Sequence, residues 1–490
     1  MMGHIRIKNL SFKYTDAIFT DLNLNIDDSW KLGLIGRNGR GKTTFLKLLL
    51  NQLEYEGQID ASVTFKYFPA YPERQQYVTV EEMLLERNPT IEPWRIYKEF
   101  SLIGLDTALL YRDFDTLSGG EQVRVLLVEL FLEDHSFALI DEPTNHLDIE
   151  GRQVVQRYLD KKKGYILVSH DRQFLDHTVE YILSINKNNI ELIKGNLKTW
   201  ETEKAHADQL TQEKNETLKK EIKRLDQVSK SLKSWGASRE NSSKDSFDKA
   251  RAAKLMKRSK AVVKRNERKI EEKQALIDNV EKVETIQLDV DIVKKRVLSL
   301  RNFSILMDGK PLFKPITVTL LPSEILFIIG ENGVGKSTLF NFIQHPEQYD
   351  IVGEYEVHLP EKTSVVNQKY VYQDDYNQWF QRLPQPQKEK FLHLLYQLGV
   401  DKKKFTARQT EGWSDGEKKK VLIAHSLIQQ NSLLMWDEVT NYLDFYVVDQ
   451  LIDMLANARP TMIAIDHNAH FVKTLDSKTI QLVRDEGIEI

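Results

Sequence analysis

The chain has 490 residues, 41% of them hydrophobic, and a formal net charge of −3, an ordinary composition with room for two to four domains. It contains no cysteine, which excludes disulfides, cysteine-ligated iron–sulfur clusters and cysteine-based zinc sites. Residues 1–10 lack the apolar core of a signal peptide, and no apolar run approaches the roughly 18 residues that cross a bilayer. We therefore expect a cytoplasmic protein.

The first motif follows a short apolar strand predicted at Lys31–Ile35. The next eight residues read GRNGRGKT, the G-x-x-x-x-G-K-[ST] spacing of a phosphate-binding loop. In such a loop, backbone N–H groups surround the phosphates, the lysine reaches the β and γ oxygens, and the hydroxyl ligates Mg²⁺. A helix expected to open at Thr44 adds the positive end of its dipole. The predicted nucleotide-binding residues are Gly36, Asn38, Gly39, Gly41, Lys42, Thr43 and Thr44.

Two adjacent carboxylates follow a second apolar strand, predicted at Phe137–Ile140. In-line phosphoryl transfer requires a metal ion and a positioned water. We predict that Asp141 binds Mg²⁺, directly or through water, and that Glu142 polarises the attacking water. An acidic pair in a loop is usually only solvated, but a pair that ends a buried strand favours a catalytic role.

These motifs recur in the second half of the chain at nearly fixed spacing. The later copies are a second phosphate loop at Gly330–Ser337, then Gln373, Ser414 to Glu417, Asp437 with Glu438, and His467. From the serine of the Ser-x-Gly-Glu motif to the strand-end aspartate is 23 residues in both copies. This duplication predicts two domains of one mixed α/β fold, residues 1–197 and 291–490.

The segment between them, residues 198–290, has a helical pattern. Its apolar residues recur at three- and four-residue steps, as on one face of a helix; they are Leu218, Ile222, Leu225, Val228, Leu232 and Trp235. A polar run from Gly236 to Phe247 interrupts the pattern, which resumes with Leu255, Val262, Val263, Ile270, Leu276 and Val280. We therefore predict an antiparallel helical hairpin. Trp235 either closes the hairpin or projects to stack on a base.

The predicted hairpin tip is basic. Residues 231–270 contain 13 Lys and Arg against 4 Asp and Glu. A solvated helix face is the usual role of such a run. The density and single sign of the residues Lys254, Lys257, Arg258, Lys260, Lys264, Arg265, Arg268 and Lys269 favour instead an arm that contacts nucleic-acid phosphates.

The complete motif order resembles the ATP-binding-cassette (ABC) ATPases. Each half has a phosphate loop, a Ser-Gly-Gly-Glu-like signature, an Asp-Glu strand end, a D-loop (Leu147–Asp148 in the first) and a switch histidine. The resemblance implies an α/β core with an α-helical subdomain in each cassette, and ATP and Mg²⁺ as cofactors. It places Tyr14 on the adenine, His170 on the γ-phosphate, and Ser118, Gly119 and Gly120 on the γ-phosphate of the opposite cassette.

The same resemblance assigns roles in the second cassette. The catalytic residues are Glu438 and His467, as Glu142 and His170 are in the first. By this resemblance Ser337, Gln373 and Asp437 bind Mg²⁺ in the second cassette, as Thr43 and Asp141 do in the first. The ATP-binding residues are Gly330, Asn332, Gly333, Gly335, Lys336, Ser337, Thr338, Gln373, Ser414 and Gly416.

The two copies depart from the family pattern in different ways. Ala70 stands in the first where the family has glutamine, and Asp415 in the second where the first has Gly119. Met307 occupies the position matching Tyr14. We predict head-to-tail packing, in which the site around Lys42 faces the altered signature and the site around Lys336 faces the intact one. The two sites should therefore differ in chemistry.

Two cassettes joined by a basic hairpin resemble the ABC-F family of ribosome-associated ATPases over the whole chain. The run from Asp141 to Asp148, DEPTNHLD, is its extended motif. The linker loop at 235–247 and the run Gly33–Thr44 resemble the antibiotic-resistance branch of the Lsa and Vga type. That resemblance implies a monomer with an intramolecular cassette dimer. It would bind the tRNA exit site of the bacterial 70S ribosome in the ATP state, and the linker would reach 23S rRNA and the P-site tRNA to displace lincosamide, streptogramin A or pleuromutilin drugs. Hydrolysis would then release the protein.

Three other classes share these motifs. The ATPase subunit of an exporter needs a membrane partner but no basic hairpin. DNA-repair relatives need zinc-binding cysteines, and cohesion-type ATPases need longer coils, so we expect no DNA partner. A housekeeping ABC-F translation factor is the main competitor, and drug susceptibility distinguishes it from a resistance protein.

Overall fold

The computed structural model describes residues 3–14, 17–73, 79–133, 135–144, 147–186, 190–240, 262–266, 268, 285–291, 295–367, 375–402, 405, 413–429 and 432–485. At residues 212, 232–240 and 375–377 it describes the backbone alone. Gln373 and most of the predicted hairpin tip therefore lie outside the described residues. The chain forms two compact units, one made of residues 1–197 and 283–490 and the other of residues 198–282.

The first cassette is a mixed α/β domain, as predicted. Its strands are β1 (His4–Lys13), β2 (Ala17–Asp27), β3 (Lys31–Ile35), β4 (Glu56–Ala61), β5 (Thr64–Phe68), β6 (Ser136–Asp141), β7 (Tyr165–Val168), β8 (Tyr181–Ile185) and β9 (Ile190–Lys194). Its helices are α1 (Lys42–Leu49), α2 (Val80–Arg87), α3 (Pro93–Leu102), α4 (Gly119–Leu130), α5 (Ile149–Leu159) and α6 (Arg172–Thr178). Short 3₁₀ helices occupy Thr107–Tyr111 and Phe114–Thr116.

The sheet topology brings the predicted motifs to one edge. The main sheet has the order β5-β6-β7-β3-β8-β9 and is parallel apart from β9. In it, Asp141 pairs in register with Val168, and Gly33 pairs with Leu167. The carboxyl ends of β3, β6 and β7 therefore meet, which is where open parallel sheets bind ligands. A second, antiparallel sheet has the order β2-β1-β4.

The burial pattern of the strands explains how the core of this cassette forms. Strands β6 and β7 are buried on both faces, as their continuous apolar runs predict. On β1, by contrast, Ile5 and Ile7 point inward between exposed neighbours. The interior side chains of both sheets pack with the apolar face of α1, including Phe45 and Leu46, in one core.

The second cassette repeats this architecture. Its strands are β10 (Leu298–Met307), β11 (Lys310–Pro311), β12 (Ile316–Leu320), β13 (Ile325–Gly330), β14 (Ile351–Val357), β15 (Thr363–Val366), β16 (Leu433–Asp437), β17 (Met462–Ile465) and β18 (Lys478–Leu482). Its α-helices are α8 (Lys336–Gln344), α9 (Asp375–Arg382), α10 (Gln385–Gln397), α11 (Asp415–Ile428), α12 (Phe445–Ala458) and α13 (Ala469–Thr474), and a 3₁₀ helix spans Pro346–Gln348. The parallel sheet has the order β15-β16-β17-β13-β18. The predicted duplication of the fold is confirmed.

The interdomain segment begins with one long helix, α7, at Leu197–Glu240. This helix continues four residues past Gly236, so the start of the predicted loop at 235–247 is wrong; an isolated glycine costs a helix only about 1 kcal/mol. The predicted apolar face is also only partly correct. Val228 is 44% exposed, whereas Asn215 and Ser229 are buried.

The returning arm is described only at residues 262–266 and 268, which are helical. There the Asn266 amide donates a hydrogen bond of 3.2 Å to the buried Ser229 hydroxyl on α7. Val263 is buried beside Asn266, whereas Lys264 and Arg265 are exposed. This contact brings together residues 37 positions apart, but the complete hairpin stays a prediction. None of the helices within the described part of the chain has both the length and the apolarity of a membrane span.

Candidate nucleotide-binding sites between the two cassettes

The first phosphate loop connects β3 to α1. Gly39 and Gly41 have φ values of +81° and +92°, which side-chain-bearing residues rarely adopt, so glycine is needed to turn the loop. The Lys42 ammonium lies inside the loop and donates to the Gly36 carbonyl at 2.7 Å and to Asn38 Oδ1 at 3.2 Å. Helix α1 begins at Lys42 rather than at the predicted Thr44, because Gly41 already serves as its N-cap.

The second phosphate loop has the same construction between β13 and α8. Gly333 and Gly335 have φ values of +77° and +103°, and Lys336 Nζ donates to the carbonyls of Gly330 and Glu331 at 2.9 and 2.8 Å. Each loop therefore presents a helix N-terminus and an enclosed ammonium, an arrangement that favours phosphate. Thr43 and Thr44 lie in the first turn of α1, and Ser337 and Thr338 in that of α8.

The acidic edge of the first cassette brings hard oxygen ligands together. Asp141 Oδ2 accepts hydrogen bonds from the Thr43 hydroxyl and from the Tyr67 phenol, each at 3.2 Å. A carboxylate beside a hydroxyl is a donor set that fits Mg²⁺. We did not predict Tyr67 as a site residue. The available signal was its position three residues before Ala70, on the strand next to Asp141.

Glu142 follows Asp141 in a left-handed conformation, with φ at +54°. Its N–H donates to the Val168 carbonyl, and its carboxylate lies 3.3 Å from His170 Nε2. Burial, reinforced by the adjacent Asp141, raises the pKa of Glu142 to about 8. Burial together with Lys42 lowers the pKa of His170 to about 3. The histidine is therefore neutral at physiological pH, and the glutamate can take up a proton there.

The second cassette repeats this pair with a different hydrogen-bond partner. Glu438 also has positive φ, at +49°, and its Oε2 accepts from the Asn441 amide at 2.8 Å. His467 Nε2 lies 3.7 Å from Glu438 Oε1, and burial lowers the pKa of His467 to about 3. Burial and the neighbouring Glu438 raise the pKa of Asp437 to about 7. Asp437 Oδ1 is buried without a hydrogen-bond partner, so this carboxylate also fits a Mg²⁺ ion.

The phosphate loop of the first cassette contacts the D-loop of the second directly. The Asn38 N–H donates to Asp444 Oδ2 at 3.0 Å, and the Asn38 amide donates to the Tyr442 carbonyl at 2.9 Å. Asn38 also lies against the signature glycine, because a Cβ on Gly416 would be 2.5 Å from its amide nitrogen. The site around Lys42 therefore faces the signature that begins at Ser414, as the head-to-tail prediction requires.

The site around Lys336 is an open cavity of about 740 Å³, within the roughly 300–1,000 Å³ typical of small-molecule sites. It faces the first cassette and is lined by both cassettes; its lining includes Ser118, Gly119, Gly120, Asp148, Asn332, Gly333, Lys336, Ser337, Thr338, Glu438 and His467. The predicted pairing of Lys336 with the intact signature is thus present. The Asn332 N–H lies 3.4 Å from Asp148 Oδ2, a longer contact than its counterpart at Asn38.

Both signature serines cap helices. Ser118 caps α4 and Ser414 caps α11, each with a reciprocal hydrogen bond to the glutamate three residues later. The charge of Asp415, which replaces the glycine of the first copy, is compensated by a 2.9 Å ion pair with Lys418. Its side chain is 65% exposed, and at the first turn of a helix a carboxylate is favourable.

The predicted adenine positions also differ. The Tyr14 ring is 59% exposed and packs edge-on against Phe12, with ring centroids 4.8 Å apart. Met307 is similarly exposed and lines the cavity at Lys336. Ala70 offers only its backbone, whose carbonyl accepts from Arg87 Nη1 at 2.9 Å. Gln373, predicted for both ATP and Mg²⁺, lies outside the described residues.

Sequence reasoning missed a buried ion pair behind the Lys42 site. Lys420 Nζ is 3.1 Å from Asp444 Oδ2, and both side chains are 2% exposed. Burial alone would raise the pKa of Asp444, but Lys420 and the Asn38 N–H outweigh it, so this pKa is well below its usual range. Asp444 therefore remains a charged acceptor for the opposite phosphate loop. At the position equivalent to Lys420 the first cassette has Arg124, which donates to the backbone carbonyls of Gly120 and Gly104.

Known proteins resemble this chain over its full length. The family model described as "ABC transporter" matches residues 19–145 and 313–441. The ribosome protection protein VmlR of Bacillus subtilis is 28% identical and is aligned over 99% of this chain and 87% of its own length. ABC transporter F family member 2 of Arabidopsis thaliana is 23% identical over 99% of this chain and 77% of its own.

A solved structure shares the fold. The model of ribosome-bound archaeal Pelota and ABCE1 aligns with a TM-score of 0.62 at 18% identity, over 97% of this chain and 76% of that one. Two matched cassettes, which together span half of the sequence, and their paired phosphate loops lead to one conclusion: the chain belongs to the ABC transporter family and is an ATPase that uses ATP with Mg²⁺.

Proposed function

We propose that this protein is a cytoplasmic ABC-F ATPase that binds the bacterial ribosome and protects it from drugs of the peptidyl-transferase centre. The observation that carries the proposal is the similarity to a ribosome protection protein along 99% of the chain, interdomain segment included. An exporter subunit would require similarity only in the cassettes.

The exposed charge of the interdomain unit supports the proposed partner. Lys264 and Arg265 are exposed on the returning arm, whereas Val263 and Asn266 on either side of them are buried. This arrangement directs Val263 and Asn266 inward and leaves the two cations available for phosphates. Together with the net charge of +9 counted over residues 231–270, it favours ribosomal RNA or tRNA over a solvated helix face.

The geometry above supports the proposed site assignments, apart from Gln373, which rests on the family resemblance alone. Glu142 and Glu438 activate water, and His170 and His467 contact the γ-phosphate. Thr43, Asp141, Ser337, Gln373 and Asp437 hold Mg²⁺, and the two phosphate loops with the opposite signatures hold ATP. ATP clamped between cassettes favours a closed, ribosome-binding state, which hydrolysis ends. In that closed state the linker displaces drug, as in the resistance branch of the Lsa and Vga type, and hydrolysis then releases the protein.

Charge reversal on the returning arm tests the partner. We expect Lys264→Glu with Arg265→Glu to weaken co-sedimentation with 70S ribosomes in ATP. Loss of two phosphate contacts should also reduce the slope of log affinity against log salt by about 1.4 to 1.8. The matched control, Lys219→Glu with Lys220→Glu, makes the same charge change at two exposed lysines on α7, outside the basic segment. Equal loss in both variants would contradict a specific arm contact.

Drug susceptibility separates protection from a housekeeping role. Expression of the wild-type chain in a sensitive bacterium should raise the inhibitory concentration of a lincosamide or pleuromutilin, whereas the hydrolysis-blocked form should not. Ribosome binding without any change in susceptibility would favour the housekeeping translation factor instead.

A further inference from the structure

The two switch histidines lie next to helices that meet between the cassettes. His170 precedes α6, and His467 precedes α13; these two helices contact each other. The segments that would sense the γ-phosphate at the two sites are therefore neighbours, although they are about 300 residues apart in sequence.

One arginine side chain joins these segments. Arg152, on α5 of the first cassette, uses Nη1 to contact Asp171 Oδ2 at 2.9 Å and the backbone carbonyl of His467 at 3.1 Å. Asp171 is the residue after His170 and caps α6. Arg152 Nε is held by the Leu147 carbonyl at 3.1 Å, and the ion-paired side chains are only 15% and 20% exposed. A single guanidinium is thus anchored to the D-loop and to both switch segments.

A second bridge comes from the other cassette. Asp449, on α12, accepts from Arg172 Nη2 at 2.5 Å and contacts His470 Nε2 at 3.1 Å. Arg172 is two residues beyond His170, and its guanidinium also lies 5.4 Å from the centre of the Phe445 ring. His470 is three residues beyond His467. The helix after each D-loop therefore contributes one charged side chain that bridges both switch segments.

The duplication does not explain these two bridges. The second-cassette residue equivalent to Arg152 is Val448, and the first-cassette residue equivalent to Asp449 is Gln153. Neither equivalent carries a charge. Each bridge is therefore built by residues that differ between the repeats.

We propose that Arg152 and Asp449 form a switch-to-switch bridge through which the nucleotide state of one composite site changes turnover at the other. The reason is geometric, since a shift of either switch segment toward its γ-phosphate must move or break an ion pair that also holds the opposite segment. Arg152 and Asp449 are positioning residues in this proposal. It rests on the proposed assignment of Glu142 and Glu438 as the catalytic carboxylates.

Additivity of ATPase rates in the full chain tests the bridge. Glu142→Gln and Glu438→Gln each silence one site, so for independent sites the two residual rates sum to the parent rate. In the wild-type background we expect this sum to differ from the parent rate by about twofold or more. Twofold corresponds to the lower end of the coupling measured between residues of one ion-pair network. In an Arg152→Met background the rates should become additive. Arg152→Lys retains a cationic hydrogen-bond donor and should therefore restore part of the departure from additive rates.

Two further variants keep the test decisive. Asp171→Asn removes the charge that binds Arg152 but retains a good helix N-cap, so it should reproduce Arg152→Met even if that variant folds poorly. Arg157→Met changes an exposed arginine on the same helix, whose Nε bonds only within α5, and should leave the non-additivity unchanged.

Additive rates in the wild-type background, or undiminished non-additivity in both Arg152→Met and Asp171→Asn, would overturn the bridge. Persistent turnover in the doubly silenced chain would instead refute the assignment of the two glutamates, so the two failures are distinguishable.

Discussion

The replacement Lys420→Met should destabilise the second cassette strongly. It removes the cation from a pair in which both side chains are 2% exposed and leaves the Asp444 carboxylate buried. Removing one partner of a buried ion pair costs about 3–5 kcal/mol. The N–H groups of Asn38 and Val447 still donate to Asp444, so we expect the lower end, about 3 kcal/mol.

Thermal unfolding followed by calorimetry measures this cost. At roughly 2–4 °C per kcal/mol for a domain of this size, the transition of the second cassette should fall by about 6–12 °C. Arg124→Met is the matched control at the equivalent position of the first cassette, where the hydrogen bonds end on backbone carbonyls; we expect a loss below about 1 kcal/mol. The double variant Lys420→Met with Asp444→Asn should be more stable than Lys420→Met alone, because no unpaired charge remains.

The effect should depend on pH in a defined direction. In the wild type, the lowered pKa of Asp444 gives stability that is present above the unfolded-state pKa of about 3.9 and lost as pH falls through the folded-state value. Without Lys420, burial raises the folded-state pKa, so the variant loses stability as pH rises from about 4 to 7. The difference between the two proteins should be largest at neutral pH. A difference below 1 kcal/mol at pH 7, or one that grows toward pH 4, would refute this reasoning.

Three further outcomes follow from the sites and the linker. Glu142→Gln with Glu438→Gln should abolish steady-state ATP turnover while ATP binding and ribosome co-sedimentation persist; undiminished hydrolysis would contradict the assignment. Glu438→Gln alone should remove more turnover than Glu142→Gln, because the Lys336 site has the open cavity and the intact signature, and equal rates with ribosomes present would argue against this asymmetry. Residues 241–246 follow the observed helix end at Glu240, and deletion of four of them should retract the predicted tip by up to about 7 Å, since a loop goes out and back; we expect ribosome-stimulated ATPase to survive and drug protection to be lost, and full protection would exclude the tip as effector.

The cassettes could be predicted from the sequence because their signals are local. The strand at Lys31–Ile35 has the predicted bounds, and the strand predicted at Phe137–Ile140 is one residue longer at each end, since continuous apolar runs are only stable when both faces of a parallel sheet are covered. The glycine spacing of the phosphate loops required positive φ, which the structure shows. The head-to-tail pairing of Lys336 with the signature at Ser118 was implied by the resemblance to the ABC ATPases.

Other features depended on which distant chains approach each other. Helix α7 continues through Gly236 because a single glycine is a weak terminator. The charge on Asp415 was visible in the sequence, but its ion pair with Lys418 became evident only in the folded helix.

The contacts between cassettes were the least predictable. Asn38 meets Asp444 across 406 residues, and Arg152 meets His467 across 315. No periodicity or motif spacing carries such information, because each partner is chosen by how two separately folded domains dock. The sequence by itself determined two ATP-binding cassettes and their motifs. Only the tertiary structure decided which charges are buried together, because burial, which sets the strength of an ion pair, is a property of the docked surfaces.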